Sequence, residues 1–425
     1  MDLPEHLAIG QSRSYRPIPA VLGTEGEWEG GAILREITSP TGLLLFGTLR
    51  DVMLWLMLPP ALRRDSFPSA EAQFRYLHVE NSDVPEELRQ PLRKLAEVRT
   101  NEADQEEVGV VCLSIADWAR DNSARETELA FRQAAALART SDIVLSLAIA
   151  RLARDLSHLR RAETWFRRTI KLARLSKDWE TYIRGYLGLG LMYSRTGNGP
   201  AAKAVMERAL NAARRWRLRP LAGEAHHQIF HVWADQGDLR RAYEHAKSAR
   251  TCYGDAHPLL IRLAADLGVL SVKIGRPTRA IPLFQSLLPR MPEPTDTAML
   301  LAYLTRAGAE SQNRSLYEGM RQEFNRSVSG IGSLWRMAEC HAIIARADLS
   351  LCEWDRAREQ ALITLNLAER TAYTEYQVEA ETILKSIASA DTSTGIEESA
   401  PPLETPGVAR IADDLAEDLC HAVTN

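Results

Sequence analysis

The sequence predicts an all-α fold of stacked helical hairpins, and three observations carry that prediction. Over residues 183–210, IRGYLGLGLMYSRTGNGPAAKAVMERAL, Tyr186, Leu189, Gly190 and Tyr193 share one 3.6-residue stripe. Ala202, Met206, Ala209 and Leu210 share another beyond a Gly-Asn-Gly-Pro turn. With Gly197 as the turn position, matching turns fall at Ser157, Gly237 and Gly275, at intervals of 40, 40 and 38 residues. Five positions after each turn stands a small residue, Ala162, Ala202, Ala242 or Ala280, and nine after stands Phe166, Met206, Ala246 or Phe284. Small residues let two helices approach, and bulky ones fill the space beside them. One hairpin cannot bury its outer faces alone, so each copy calls for neighbours.

The bulk properties agree. A chain of 425 residues is too long for one ordinary core, and 45% apolar with 25% charged residues describes a globular protein. The formal charge of −4 is unevenly spread: Arg151 to Arg219 holds seventeen Lys or Arg against five Asp or Glu, whereas 391–425 holds eight acidic residues and one Arg. Five scattered cysteines without a C-x-x-C pair read as reduced packing residues in a cytoplasmic protein. Residues 1–30 hold no apolar core of signal-peptide length. The apolar run Gly42–Leu58 carries Arg50 and Asp51 at its centre and reads as a buried helix with no membrane role.

In chain order, Val21 to Ile37 has room for a short strand or two, and Ser39-Pro40-Thr41 opens a helix that Pro59-Pro60 ends. Further helices are expected over 69–78 and from Asp83 to about Val98, making 1–100 a separate N-terminal region. From about Glu106 the helix and turn alternation becomes regular. Beyond the copies above, pairs are expected over 107–139 with Asp121-Asn122-Ser123 as turn, over 295–328 around Gln312-Asn313, and over 333–371 with Trp354 opening the second helix. A last helix from Tyr373 to about Ala388 covers the end of the array. Residues 391–408 have linker composition, and 409–423 form an acidic amphipathic helix with Ile411, Leu415, Leu419 and Val423 in one stripe.

These residues resemble the tetratricopeptide repeat (TPR), whose pattern runs aromatic, Leu-Gly, aromatic, Gly at the turn, then Ala, a bulky residue and Ala. The match is fullest at Tyr186, Leu189-Gly190, Tyr193, Gly197, Ala202, Met206 and Ala209, and it continues through Trp233, Gly237, Asp238, Ala242 and Ala249. Two departures stand out: the family's final Pro is replaced by Arg214, and the repeats run 38–40 residues against the family's 34. The resemblance covers about 105–390, with specific motifs in 140–290, and implies a right-handed superhelix of antiparallel hairpins, a TPR-like α-solenoid. It also implies that the first helix of each hairpin lines a concave groove. The lining positions are then Val144, Leu147, Arg151 and Arg154; Arg184, Leu187, Leu191 and Arg195; Glu224, His227, His231 and Asp235; and Arg262, Ala265, Val269 and Lys273.

Such a wall, apolar and basic, suits a peptide with hydrophobic anchors and carboxylates, because Arg holds a carboxylate through two parallel hydrogen bonds. The plain reading, a solvated basic face, competes with it. Glu224, His227, His231 and Asp235 place four metal-ligand types along one stripe, as Zn²⁺ or Mn²⁺ would need, yet the two His read more readily as hydrogen-bonding groups of a groove or as polar groups facing solvent, and neither metal nor cofactor is expected. His226, beside Trp233, is expected in the core. No enzyme motif is present, neither a phosphate-binding Gly loop, nor G-x-S-x-G, nor H-E-x-x-H.

The expected function is that of a non-enzymatic adaptor or regulatory scaffold, of a bacterial type, binding a protein or peptide partner. The acidic tail would either fold into the basic groove or hang free. The alternative is a nucleic-acid-binding regulator that tracks phosphates with Arg167, Arg168, Lys171 and Arg174 and with Arg214, Arg215, Arg217 and Arg219.

Overall fold

The computed structural model describes residues 30–63, 84–97, 104–291, 293–331, 333–370, 375–391 and 404–424, which form helices and short turns without a strand. The helix expected over 69–78, the segment 21–29 and most of the linker, 392–403, lie outside the described residues. The chain divides into two compact units, Met1–Gly188 and Leu189–Asn425.

The first unit opens with α1 (Gly30–Glu36), α2 (Pro40–Met57), α3 (Pro60–Arg63) and α4 (Glu86–Glu97). Where the sequence allowed a strand up to Ile37, residues 30–36 are helical, and the consecutive residues Ala32 and Ile33 are both buried, which the in-out alternation of a half-exposed strand would not achieve. The unit continues with two hairpins, α5 (Gln105–Asp121) with α6 (Arg125–Ala138) and α7 (Ile143–Asp155) with α8 (Leu159–Ser176), and with the start of α9 (Trp179–Arg195). The apolar helix α2 packs on α6, and Glu36 caps that helix, accepting from the backbone N–H of Glu126 and Thr127, each at 2.8 Å. Asp51 stays buried within α2 by accepting from the Arg50 guanidinium at 3.2 Å. Among the described residues no helix is long and apolar enough to cross a membrane.

The second unit holds the end of α9, then α10 (Gly199–Arg215), α11 (Arg219–Asp235), α12 (Leu239–Tyr253), α13 (Leu259–Lys273), α14 (Pro277–Leu287), α15 (Pro294–Glu310), α16 (Arg314–Ser327), α17 (Leu334–Ser350), α18 (Trp354–Glu369), α19 (Glu375–Asp391) and α20 (Pro406–Thr424). They pack as consecutive pairs, α11 with α12, α13 with α14, α15 with α16 and α17 with α18, while α15 also packs on α17 and α17 on α19. The fold is all-α, of the helical-hairpin repeat class.

The turns within hairpins show why these sequences stop and restart a helix. Ser123, Ser157, Gly197, Gly237, Gly275, Gln312 and Cys352 all have φ between 57 and 77°. The left-handed residue breaks the α-helical path, and the next amide returns to a carbonyl five residues back: Asn198 N–H to Tyr193 O at 2.9 Å, Asp238 N–H to Trp233 O at 3.0 Å. Asn198, Asp238 and Asn313 then cap the next helix, accepting from the N–H of Ala201, Arg241 and Leu316. The repeat-marking residues Ala162, Phe166, Ala202, Met206, Ala242, Ala246, Ala280 and Phe284 are all buried.

Helix α20 packs against α12, α13 and α14 at once. Its stripe Ala412, Leu415, Leu419 and Val423 enters the same core as Leu263, Leu267 and Phe284. Its charges, and Glu404 just before it, meet Arg residues: Arg250 to Asp418 at 3.0 Å, Arg279 to Asp413 at 2.8 Å and to Glu404 at 3.1 Å, with the Arg290 guanidinium donating to the Val423 carbonyl. None of these Arg residues belongs to the groove set read from the sequence.

Candidate functional site

The first helices of the second unit bring their polar residues together around α11 and α13. On α11, His227 and His231 are one turn apart, and their rings stack with centroids 5.4 Å apart. Both turn to Asp266 of α13: His227 Nε2–H donates to Oδ2 at 2.8 Å and His231 Nε2–H to the same oxygen at 3.1 Å. The Tyr253 hydroxyl of α12 lies 3.3 Å from the other nitrogen of His227. Burial pushes His227 below its ordinary value of 6.5 despite Asp266. His231 faces the same burial penalty, but Asp266 and then Asp235 outweigh it and hold the ring above 6.5. For Asp266, burial favours the neutral acid, yet His231 and His227 together hold the carboxyl well below the usual range. The result is a carboxylate held in its ionised form between two imidazoles, of which His231 binds its second proton more tightly than His227.

The charged surface extends beyond this trio. Lys273, at the end of α13, is held above its usual value first by Tyr303 of α15, against the cost of burial, and then by Asp235 of α11, Glu339 of α17 and Glu375 of α19. Burial raises Glu375, and burial with Glu339 and Glu375 raises Tyr376 beside it. Arg336 pairs with Glu339 at 2.8 Å, and Arg262 with Asp296 at 2.6 Å.

The structure brings together some of the groove residues read from the sequence and removes others. Arg195, His231, Arg262 and Lys273 keep accessible surface in the second unit, with the Arg195 guanidinium lying 3.8 Å over the Trp335 ring. Glu224 and Leu191 are half-buried in the same unit. His227 is buried and engaged with Asp266 and Tyr253. In the first unit Arg151 is exposed, Arg154 pairs with Asp155 at 2.8 Å, and Arg184 pairs with Glu180 at 2.7 Å. Leu187, 3% exposed, is a core residue and offers a ligand nothing; Leu147 and Ala265 are buried as well. The sequence reading took Ala265 where the structure turns Asp266 toward His227 and His231, because the step along a 3.6-residue helix alternates between three and four positions. Counting four from Arg262 instead of three would have found it.

The comparisons with known proteins add little to this geometry. No protein family and no curated protein matches the sequence. Among solved structures, the crystal structure of the P58(IPK) TPR domain is returned at 10% identity, covering 77% of this chain and 99% of that one, with a TM-score of 0.23.

Two other sequence-derived expectations meet the geometry here. His226 is indeed in the core: its Nδ1 faces His245 Nδ1 at 3.0 Å and its Nε2 faces the Arg214 guanidinium at 3.1 Å. Burial, His245 and Arg214 lower it to about 4. The phosphate-tracking surface loses a member, because Arg168 is 1% exposed and donates to the Thr140 carbonyl inside the first unit. Arg167 is exposed but pairs with Glu163 at 2.7 Å.

Proposed function

We propose that the chain is a non-enzymatic, cytoplasmic scaffold that holds a segment of another protein along the face made by α11, α13, α15, α17 and α19. It would do so within a TPR-like array over 105–390 whose repeats run longer than the family's 34 residues. The observation that supports this reading is that Lys273 of α13 lies within electrostatic reach of Tyr303, Asp235, Glu339 and Glu375, which belong to α15, α11, α17 and α19. Both signs of charge line it. A partner segment carrying only carboxylates would meet Asp235, Glu339 and Glu375 as well as Lys273 and Arg262, so a segment of mixed charge fits better than a purely acidic one.

The test is affinity capture from the source cells on the immobilised full chain, beside a folded Lys273→Glu, Arg262→Glu double variant. The reading expects a defined protein partner that the double variant no longer retains. A partner kept equally by both chains, or retained material that is nucleic acid, would overturn it.

A further inference from the structure

We propose that His227, His231 and Asp266 form a site for one divalent transition-metal ion of the Zn²⁺ class, which ties hairpin α11–α12 to hairpin α13–α14. One ring nitrogen of each His and a carboxylate oxygen lie within 4.8 Å of one another, and it is Nε2 of both rings that meets Asp266 Oδ2. The two nitrogen–oxygen separations, 2.8 and 3.1 Å, are close to the ~2.9–3.4 Å edge between ligands bound about 2.0–2.1 Å from a common ion. The ligands are also preorganised. One helix turn sets the two rings nearly parallel, 22° apart, so both present Nε2 to Asp266 without a change of backbone.

Two imidazoles and one carboxylate favour Zn²⁺, Co²⁺ or Ni²⁺ over Mg²⁺ or Ca²⁺, whose sites are built from oxygen. Coordination needs the Nε2 lone pair, so the His227 proton moves to Nδ1 and is donated to the Tyr253 oxygen 3.3 Å away. That is the outer-shell bond that fixes the tautomer of a metal-bound imidazole. Tyr253 is itself held by stacking on His257, with ring centroids 4.4 Å apart. His231 keeps 43% of its side chain exposed, which gives the ion a path in and leaves its remaining positions to water. The other close imidazole pair, His226 with His245, has the Arg214 guanidinium 3.1 Å from His226, and that charge repels a cation.

The experiment uses the untagged full chain, stripped with chelator and titrated with Co²⁺ and Zn²⁺ by calorimetry and visible absorption. The expected result is one ion per chain, a raised melting temperature, loss of stoichiometric binding in His231→Gln and Asp266→Asn, and retention in His245→Gln. Tyr253→Phe should weaken binding about 10–100-fold. His231→Gln, at a half-exposed position, decides the matter if Asp266→Asn fails to fold. No stoichiometric binding by the folded wild-type chain, binding unchanged in His231→Gln, or binding lost in His245→Gln would each overturn the site.

Discussion

Gly268 of α13 lies flat against Phe284 of α14: a Cβ on Gly268 would stand 2.4 Å from Cε1 of the ring and 2.8 Å from Cζ. Phe284 is fully buried and cannot swing away into solvent. Gly268→Val should therefore cost about 1–3 kcal/mol by overpacking, more than the ~1 kcal/mol that a better helix former can return. Gly319 lies inside α16 with nothing within 4 Å of its missing Cβ, so Gly319→Ala should gain up to about 1 kcal/mol. Urea denaturation of the two variants checks the contrast, and equal shifts would mean that packing does not decide at Gly268.

Asp348 of α17 is wholly buried and serves three donors. Tyr317 O–H reaches it at 2.7 Å, and Arg321 grips both carboxylate oxygens at 3.1 and 3.2 Å. Burial raises its pKa, with Arg321 and Tyr317 opposing. Asp348→Ala would strand a largely buried guanidinium and a buried phenol, and it should cost about 3–5 kcal/mol. The larger loss is expected here compared with Arg314→Ala, which removes an exposed partner of Glu353 worth about 0–1 kcal/mol.

His341 gives the fold a pH dependence in the second unit. Burial lowers its pKa below 6.5, opposed by the Gln360 hydrogen bond at 2.7 Å and by Glu359 of α18, while Phe324 of α16 packs edge-on against the ring. Below pH 6.5 the unfolded chain therefore binds a proton that the folded chain resists, so stability falls as pH falls from 6.5 toward the folded value. One such group contributes no more than about 1.4 kcal/mol per pH unit. Stability curves at pH 7.5 and 5.5 should show a smaller drop for His341→Gln than for the wild-type chain; an identical drop would assign the effect to other groups.

The turn at Cys352 has φ of 58°, a conformation costly for a side chain with a Cβ. Cys352→Gly should stabilise by up to about 1 kcal/mol and remove the exposed thiol. Thiol labelling offers a companion check. Cys352 should react with a maleimide in the folded chain, while Cys112, fully buried with its pKa pushed up to about 12 by burial, should not.

The hairpins were legible in the sequence because they rest on local rules. Ser157, Gly197, Gly237 and Gly275 are all left-handed, and the turn expected at Gln312-Asn313 is left-handed at Gln312, where no glycine marks it. The site was less legible for two physical reasons. The Asp266 that His227 and His231 share comes from another hairpin, 39 and 35 residues away respectively, and no local spacing encodes that meeting. Exposure was misjudged at two positions: Arg168, taken as a phosphate contact, is buried and donates to a backbone carbonyl, and Leu187, taken as a groove position, is buried in the core.

Helix α20 tests whether an element distant in sequence is structurally integral. Leu419 is fully buried, and its stripe shares one core with residues of α12, α13 and α14. Around that stripe, the Glu404 side chain, 2% exposed, accepts from Arg279 at 3.1 Å and from the Tyr243 hydroxyl at 3.2 Å. If α20 folds with the unit, Leu419→Ala leaves a cavity in that shared core and lowers the stability of the whole transition by about 2–5 kcal/mol. If it merely rests there, the same substitution leaves the main transition unchanged and exposes Arg410 to trypsin. Burial on three helices at once argues for the first outcome, because freeing α20 would expose apolar surface of α12, α13 and α14 together with its own stripe.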